Sequence, residues 1–200
     1  MPRPPQPEKR LELARQAVEV MQREGLDVPM KRLAESLGIK RPTLLYHFPT
    51  RGHIVERALE DLLTRQATFV LAKIAEHTHP VLRLDAQMRA VHAFHDGQEP
   101  RLMFLMQALA ACSRERMDEV IDVGNRVFEA HRRAAVARLR EGIEAGTVAP
   151  HDPEALVVLV RATIDGLMVQ RVMTGVALAP AQDLFFERTL RPLIRAPEDT

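Results

Sequence analysis

Lys31–Arg51, KRLAESLGIKRPTLLYHFPTR, decides how the chain is read. Leu33, Ala34 and Leu37 recur at helical spacing over Lys31–Leu37. Gly38 then stops that helix, because glycine alone enters the left-handed backbone region at little cost. Pro42 opens a second helix, where its missing N–H would be unpaired anyway. Thr43, Leu44, Leu45, Tyr46, His47 and Phe48 continue it, and Pro49 closes the segment. A helix, a glycine turn of three or four residues and a second helix make a helix-turn-helix, the unit that lays its second helix in the major groove of DNA. The charges agree. Lys31, Arg32, Lys40, Arg41 and Arg51 surround the turn, against the single acid Glu35.

The second helix is too short to bury itself. Leu44 and Phe48 are therefore expected to pack on its neighbours, leaving Arg41, Thr43 and Leu45 or Tyr46 outward. An arginine at the start of such a helix can reach guanine O6 and N7 with two parallel bonds, and Thr43 and Leu45 can meet a thymine methyl. Lys31 can reach a base edge or a phosphate. Tyr46, His47 and Arg51 suit phosphates, helped by the positive dipole end of a helix beginning near Arg51. With Lys40 and Pro42 at the helix start, the candidate DNA-contacting set is Lys31, Lys40, Arg41, Pro42, Thr43, Leu45, Tyr46, His47 and Arg51.

At these residues the chain resembles the TetR family of one-component transcriptional repressors. The family pattern is Leu/Ile-Ala, a Gly-Val/Ile turn, Leu-Tyr-x-His-Phe, and a basic residue three positions on. Here it stands as Leu33-Ala34, Gly38-Ile39, Leu44-Leu45-Tyr46-His47-Phe48 and Arg51. Leu45 replaces the usual tyrosine and an aromatic follows at Tyr46. Arg51 replaces the usual lysine, and Pro29-Met30 and Lys40 stand where Ser or Thr often starts the two helices.

Net charge is +1 over 200 residues, but it is unevenly spread. Residues 1–52 carry ten Lys/Arg and six Asp/Glu, whereas the remainder carries 18 and 21. A basic N-terminal part on a mildly acidic body suits a polyanion reader joined to another function. One cysteine, Cys112, excludes an internal disulfide. No apolar run is long enough to cross a membrane, and MPRPPQPEKR lacks the apolar core of a signal peptide, so the expected location is cytoplasmic. No strand pattern, phosphate loop or serine nucleophile elbow is found, and no enzyme activity, cofactor or metal is expected. His77-x-His79 and His92-x-x-His95 have metal-compatible spacing but no partner set, and read as capping or solvated histidines.

Helical periodicity extends over the whole chain, predicting an all-α fold of about nine helices. A Pro-rich tail (1–7) precedes a three-helix DNA-binding head (8–50), and an effector-binding and dimerisation bundle follows (51–200). A long helix is expected from Arg51 to about His77, and a last helix from Ala181 to about Arg195. The bundle is rich in methionine and phenylalanine, which adapt to irregular cavities and varied apolar ligands. Such a lining with a few polar anchors suits a small-molecule site. The candidates are Met88, His92, Met103, Phe104, Gln107, Phe128, His131, Asp165 and Met168.

Leu156–Met173 presents apolar residues on more than one face, and Gly166 permits close approach of another backbone. A buried helix in a monomer would also explain that excess. In the family, the two C-terminal helices of each subunit form a four-helix dimer interface. The resemblance thus implies a homodimer through Leu156, Leu159, Val160, Gly166, Leu167, Leu184 and Phe185. It also implies a repressor that a small apolar or amphipathic effector releases from a palindromic operator in double-stranded DNA. Effector binding would tilt the Arg51–His77 helix and change the spacing of the two reading helices. Two rivals remain. A helical DNA-architectural protein would lack a cavity among the Met-rich helices. An enzyme built on Cys112 would need a histidine within hydrogen-bond reach of the sulfur.

Overall fold

The computed structural model describes residues 7–110 and 114–195, with the side chains of 109–127 outside the description. Cys112 and all of the expected tail but Pro7 therefore lie outside the described residues, as does the side chain of Met117. Nine α-helices and no named strand are found among those residues. They are α1 (Pro7–Glu24), α2 (Met30–Ser36), α3 (Arg41–His47), α4 (Arg51–Ala75), α5 (Pro80–His95), α6 (Glu99–Ala110), α7 (Arg114–Glu144), α8 (Pro153–Thr174) and α9 (Ala179–Phe185).

The chain divides into two compact units. One runs to Thr64 and takes in Pro100–Gly124, and the other comprises Arg65–Glu99 and Asn125–Thr200. The first unit is built on α1, whose Leu13, Ala14, Ala17, Val18 and Met21 form one buried face. Leu33 and Ala34 of α2, Leu44 of α3 and Ile54, Val55, Ala58 and Leu59 of α4 complete this core. Fully burying a leucine or isoleucine contributes about 1.5–3 kcal/mol, so tertiary contact rather than helix propensity holds the two seven-residue helices. Polar clamps close the edges. Arg15 of α1 donates to both Asp61 oxygens of α4, at 2.9 and 3.1 Å. Arg32 of α2 grips Glu24 at the end of α1 in the same two-pronged way.

In the second unit, Val81, Leu84, Met88 and Val91 of α5 and Leu156, Val160, Ile164 and Met168 of α8 are buried. Asp152 caps α8 by accepting the Ala155 N–H, and Pro153 follows it, the expected start. Gly142 of α7 sits where a Cβ would lie 2.6 Å from Val148 Cγ2, so the helix can pass there only without a side chain.

Three histidines serve as internal fasteners. His79 caps α5 by accepting the Val81 N–H at Nδ1, while its Nε2 donates to the Thr147 carbonyl. His92 donates from Nε2 to the Ile164 carbonyl and accepts from Gln182 at Nδ1. His95 donates to Gln66 Oε1 at 2.7 Å. The capping expectation for these histidines agrees with His79, whereas His92 and His95 are buried.

The C-terminal end differs from the sequence expectation. Instead of one helix to about Arg195, α9 ends at Phe185, a π turn covers Phe186–Leu190 and a 3₁₀ turn covers Arg191–Leu193. Pro192 supplies no N–H to continue a helical ladder. The chain then extends, and the Arg195 N–H bonds to the Thr147 carbonyl while the Ala149 N–H bonds to the Leu193 carbonyl.

Burial sets an acid limit on this unit. The His95 imidazole is held down to about 4 by desolvation, with nearby Glu99 opposing and the His92 charge adding slightly. Unfolded, the ring titrates near its ordinary value of about 6.5. The unfolded chain therefore takes up a proton between those values while the folded one does not. The contribution is complete above about pH 6.5 and is lost as pH falls toward 4, by roughly 3 kcal/mol. Urea unfolding at about pH 7, 5.5 and 4.5 should show this loss, and His95→Gln should remove most of it.

Candidate nucleic-acid interface and cavity

The turn between α2 and α3 is closed by backbone geometry. Gly38 has φ +65°, its N–H bonds to the Glu35 carbonyl, and the Ile39 N–H bonds back to Ala34. This paired closure satisfies carbonyls that the end of α2 would otherwise leave open. Lys40 follows in extended backbone, and its carbonyl accepts the Thr43 and Leu44 N–H groups. Arg41 is thus the first residue of α3 and Pro42 the second.

Burial sorts the candidate DNA residues. Leu44 and Phe48 are fully buried, and the Arg10 guanidinium lies 5.3 Å from the Phe48 ring centre in a cation–π contact. Lys31, Lys40, Arg41, Pro42 and Tyr46 are exposed, with Thr43 and Leu45 half-buried. Lys31, Lys40 and Arg41 have no carboxylate partner among the described residues. His47 faces the interior instead, and its Nδ1 has no hydrogen-bond partner there. Desolvation, and then the Lys9 and Arg10 charges, hold its imidazole below the usual range. Arg51 is partly committed within the head. It donates to the Leu26 carbonyl at 2.7 Å and reaches Asp27 at 3.4 Å, tying the start of α4 to the α1–α2 loop.

The second unit contains a partly enclosed cavity of about 120 Å³. Ala67, Val70, Leu71 and Ile74 of α4 and Leu84 and Val91 of α5 supply apolar wall. Polar groups come from Gln66, Arg83, Gln87, His131, Arg138 and Arg161. Among the expected ligand residues, Phe128 and His131 line it. Met88 and Met168 are buried but do not form its wall, and His92 is occupied by the bonds described above. Asp165 is exposed and pairs with Arg161, whose guanidinium lies 5.3 Å from the Phe128 ring centre. Met103, Phe104 and Gln107 belong to α6, in the first unit.

A search led by methionine misses the arginines. A helical reading of α7 finds one of them, Arg138, since Phe128, His131, Ala135 and Arg138 recur every three or four positions. A second depression of about 350 Å³ is more open, and its arginines are paired: Arg89 with Asp85 and Asp183, Arg171 with Asp96 and Glu99.

The expected dimer residues divide in the single chain. Leu156 and Val160 are buried in the protomer, Leu167 and Phe185 are half-buried, and Leu159 and Leu184 are exposed. Val158, Val169, Val172, Met173 and Val176 extend the exposed apolar surface, Met173 at 73%. A Cβ at Gly166 would meet nothing within 4 Å. Among the described residues, no group of three or more potential metal ligands occurs, and no helix is long and apolar enough to cross a membrane.

Comparison with known proteins agrees with the head and the fold. Residues 13–58 match the family model described as bacterial regulatory proteins, tetR family. No curated protein gives a significant match. Among solved structures, the TetR-family transcriptional regulator PfmR from Thermus thermophilus is 19% identical with a TM-score of 0.63, covering 92% of this chain and 99% of its own. A protein from Saccharomonospora viridis, assigned as a transcriptional regulator and solved with choline, is 18% identical with a TM-score of 0.73, covering 96% and 100%. The regulator FadR from Bacillus subtilis, solved with stearoyl-CoA, is 17% identical with a TM-score of 0.72, covering 90% and 97%. Residues 13–58 thus match the model of the tetR family of bacterial regulatory proteins, and the fold of these solved structures is shared along nearly the whole chain.

Proposed function

We propose that the chain is a homodimeric repressor that binds a palindromic operator through α3 and is released by a small molecule bound in its C-terminal region. The observation that carries the DNA reading is the exposed trio Lys31, Lys40 and Arg41, left without carboxylate partners among the described residues around the helix-turn-helix. Unpaired cations at a turn add nothing to the stability of the head, but they lower the free energy of a nearby phosphate or guanine edge. Arg41 reads a base. Lys40 and Lys31 hold the backbone, with Tyr46 and the remaining donors of Arg51 beside them. Thr43, Leu45 and Pro42 make apolar contacts. His47, being buried, supports the helix from behind.

Dimerisation rests on the second apolar face of α8 with Leu184 of α9. Val158 and Leu184 are each 61% exposed in the single chain, and a surface of this kind marks an interface. A twofold dimer presents two α3 helices to successive major grooves when they stand about 34–36 Å apart. Two solved neighbours hold choline and stearoyl-CoA, so the shared fold accommodates small molecules without fixing the charge of their head groups. An effector that prefers the form with a different spacing lowers operator affinity by linkage. The protein acts in the cytoplasm, on DNA, with no catalytic step.

Binding-site selection on the parent chain and its variants tests the DNA reading. Arg41→Ala should relax preference at one base pair, costing about 1–3 kcal/mol there. Lys40→Ala should weaken all sequences about equally and reduce the salt slope by about one. Unchanged preference in Arg41→Ala removes it as a base reader. Sedimentation tests the dimer. Gly166→Leu has room within the protomer, so the folded chain should keep its melting behaviour at low concentration. At the interface the added side chain should cost about 1–3 kcal/mol and shift the equilibrium toward monomer.

A further inference from the structure

Arg83 and Arg138 share one cavity wall, and neither has a carboxylate partner among the described residues. Arg83 donates to the His77 carbonyl at 2.7 Å, which fixes its position but leaves its charge uncompensated. Arg138 makes no hydrogen bond among the described residues. Burial first, and then the Arg138 charge, hold the Arg83 guanidinium below the usual arginine range. Arg161, the third arginine of the wall, is neutralised by Asp165, and the other depression has all its arginines paired. Among the described residues, no Asp or Glu lines the cavity. Ala67, Val70, Leu71 and Val91 give apolar wall, and Gln66, Gln87 and His131 add neutral polar groups.

Arg83 is half-buried and Arg138 exposed, and two like charges beside each other favour an anion that joins them. Guanidinium forks match a carboxylate with two parallel bonds. The space of about 120 Å³ falls near that of a cavity known to accept benzene, about 150 Å³, and below the usual drug-sized range of about 300–1,000 Å³. We infer that this cavity takes a small carboxylate with an apolar body, of the size of one aromatic ring or a short alkyl chain, its anionic group between Arg83 and Arg138. The inference rests on the effector-controlled reading above and adds the chemical class of the effector.

Calorimetry on the full chain at about pH 7 tests it with matched probes: benzoate and hexanoate, benzyl alcohol and 1-hexanol, benzylamine and hexylamine. One of the two carboxylates should bind roughly tenfold or more tightly than the alcohol and the amine of the same body, as expected of charged hydrogen bonds. Arg138→Gln should abolish that preference and Arg138→Lys should restore part of it. Arg138 is the residue to change because Arg83 also holds the His77 carbonyl. Equal or tighter binding of the alcohol or amine overturns the inference. So does failure of both carboxylates to bind, or unchanged carboxylate affinity in folded Arg138→Gln. Operator binding is measured in parallel with every probe. A neutral or cationic probe that binds and releases operator leaves effector control standing and removes the anion. A carboxylate that binds through Arg138 without altering operator affinity keeps the anion site and removes effector control.

Discussion

A helix of seven residues has almost no stability of its own in water, because nucleation costs more than so few hydrogen bonds return. Both α2 and α3 are of that length. Everything the head presents to a partner therefore depends on the burial of Leu33, Leu44 and Phe48 against α1 and α4. Those contacts fix the inner faces, and the backbone closure at Gly38 fixes the angle between the two helices. Arg41, Lys40 and Lys31 are then placed by the backbone that carries them. A basic surface can be left unpaired because apolar contacts on its reverse side hold it.

The same division of labour explains which parts are legible in the sequence. Gly38, Pro42 and the apolar spacing of Leu33, Ala34 and Leu44 are local signals, and the helices stand within a residue or so of where those signals place them. Asp152-Pro153 marks the start of α8 equally well. His47 is not legible as an interior residue, since a histidine in a basic segment carries no periodic sign of the side it faces. Arg51 reads as a free cation, and only the return of the Leu26 carbonyl to its side shows otherwise. The cavity is hardest to read. Its wall draws on four helices, and the choice between one buried methionine and another depends on tertiary packing rather than spacing.

Within the second unit, polar groups are handled in two contrasting ways. His79, His92 and His95 commit their ring nitrogens to carbonyls, amides and glutamine side chains. Arg89, Arg161 and Arg171 keep their charge and gain carboxylates. Arg83 gives one donor to the His77 carbonyl, but neither it nor Arg138 gains a carboxylate among the described residues. Arg83 is half-buried and Arg138 exposed, and a pair of cations without a carboxylate is a site that an anion can complete.

The turn of chain from Leu190 to Arg195 gives the second unit a closed end. Leu190 is fully buried, and two backbone hydrogen bonds join Leu193 and Arg195 to the corner between α7 and α8. That corner also holds Thr147, whose carbonyl receives the His79 ring, and so meets the start of α5. A shortened chain ending after Phe185 would leave these amides and carbonyls exposed at once. A cut or an inserted tag before Arg195 would therefore be felt as far away as the start of α5.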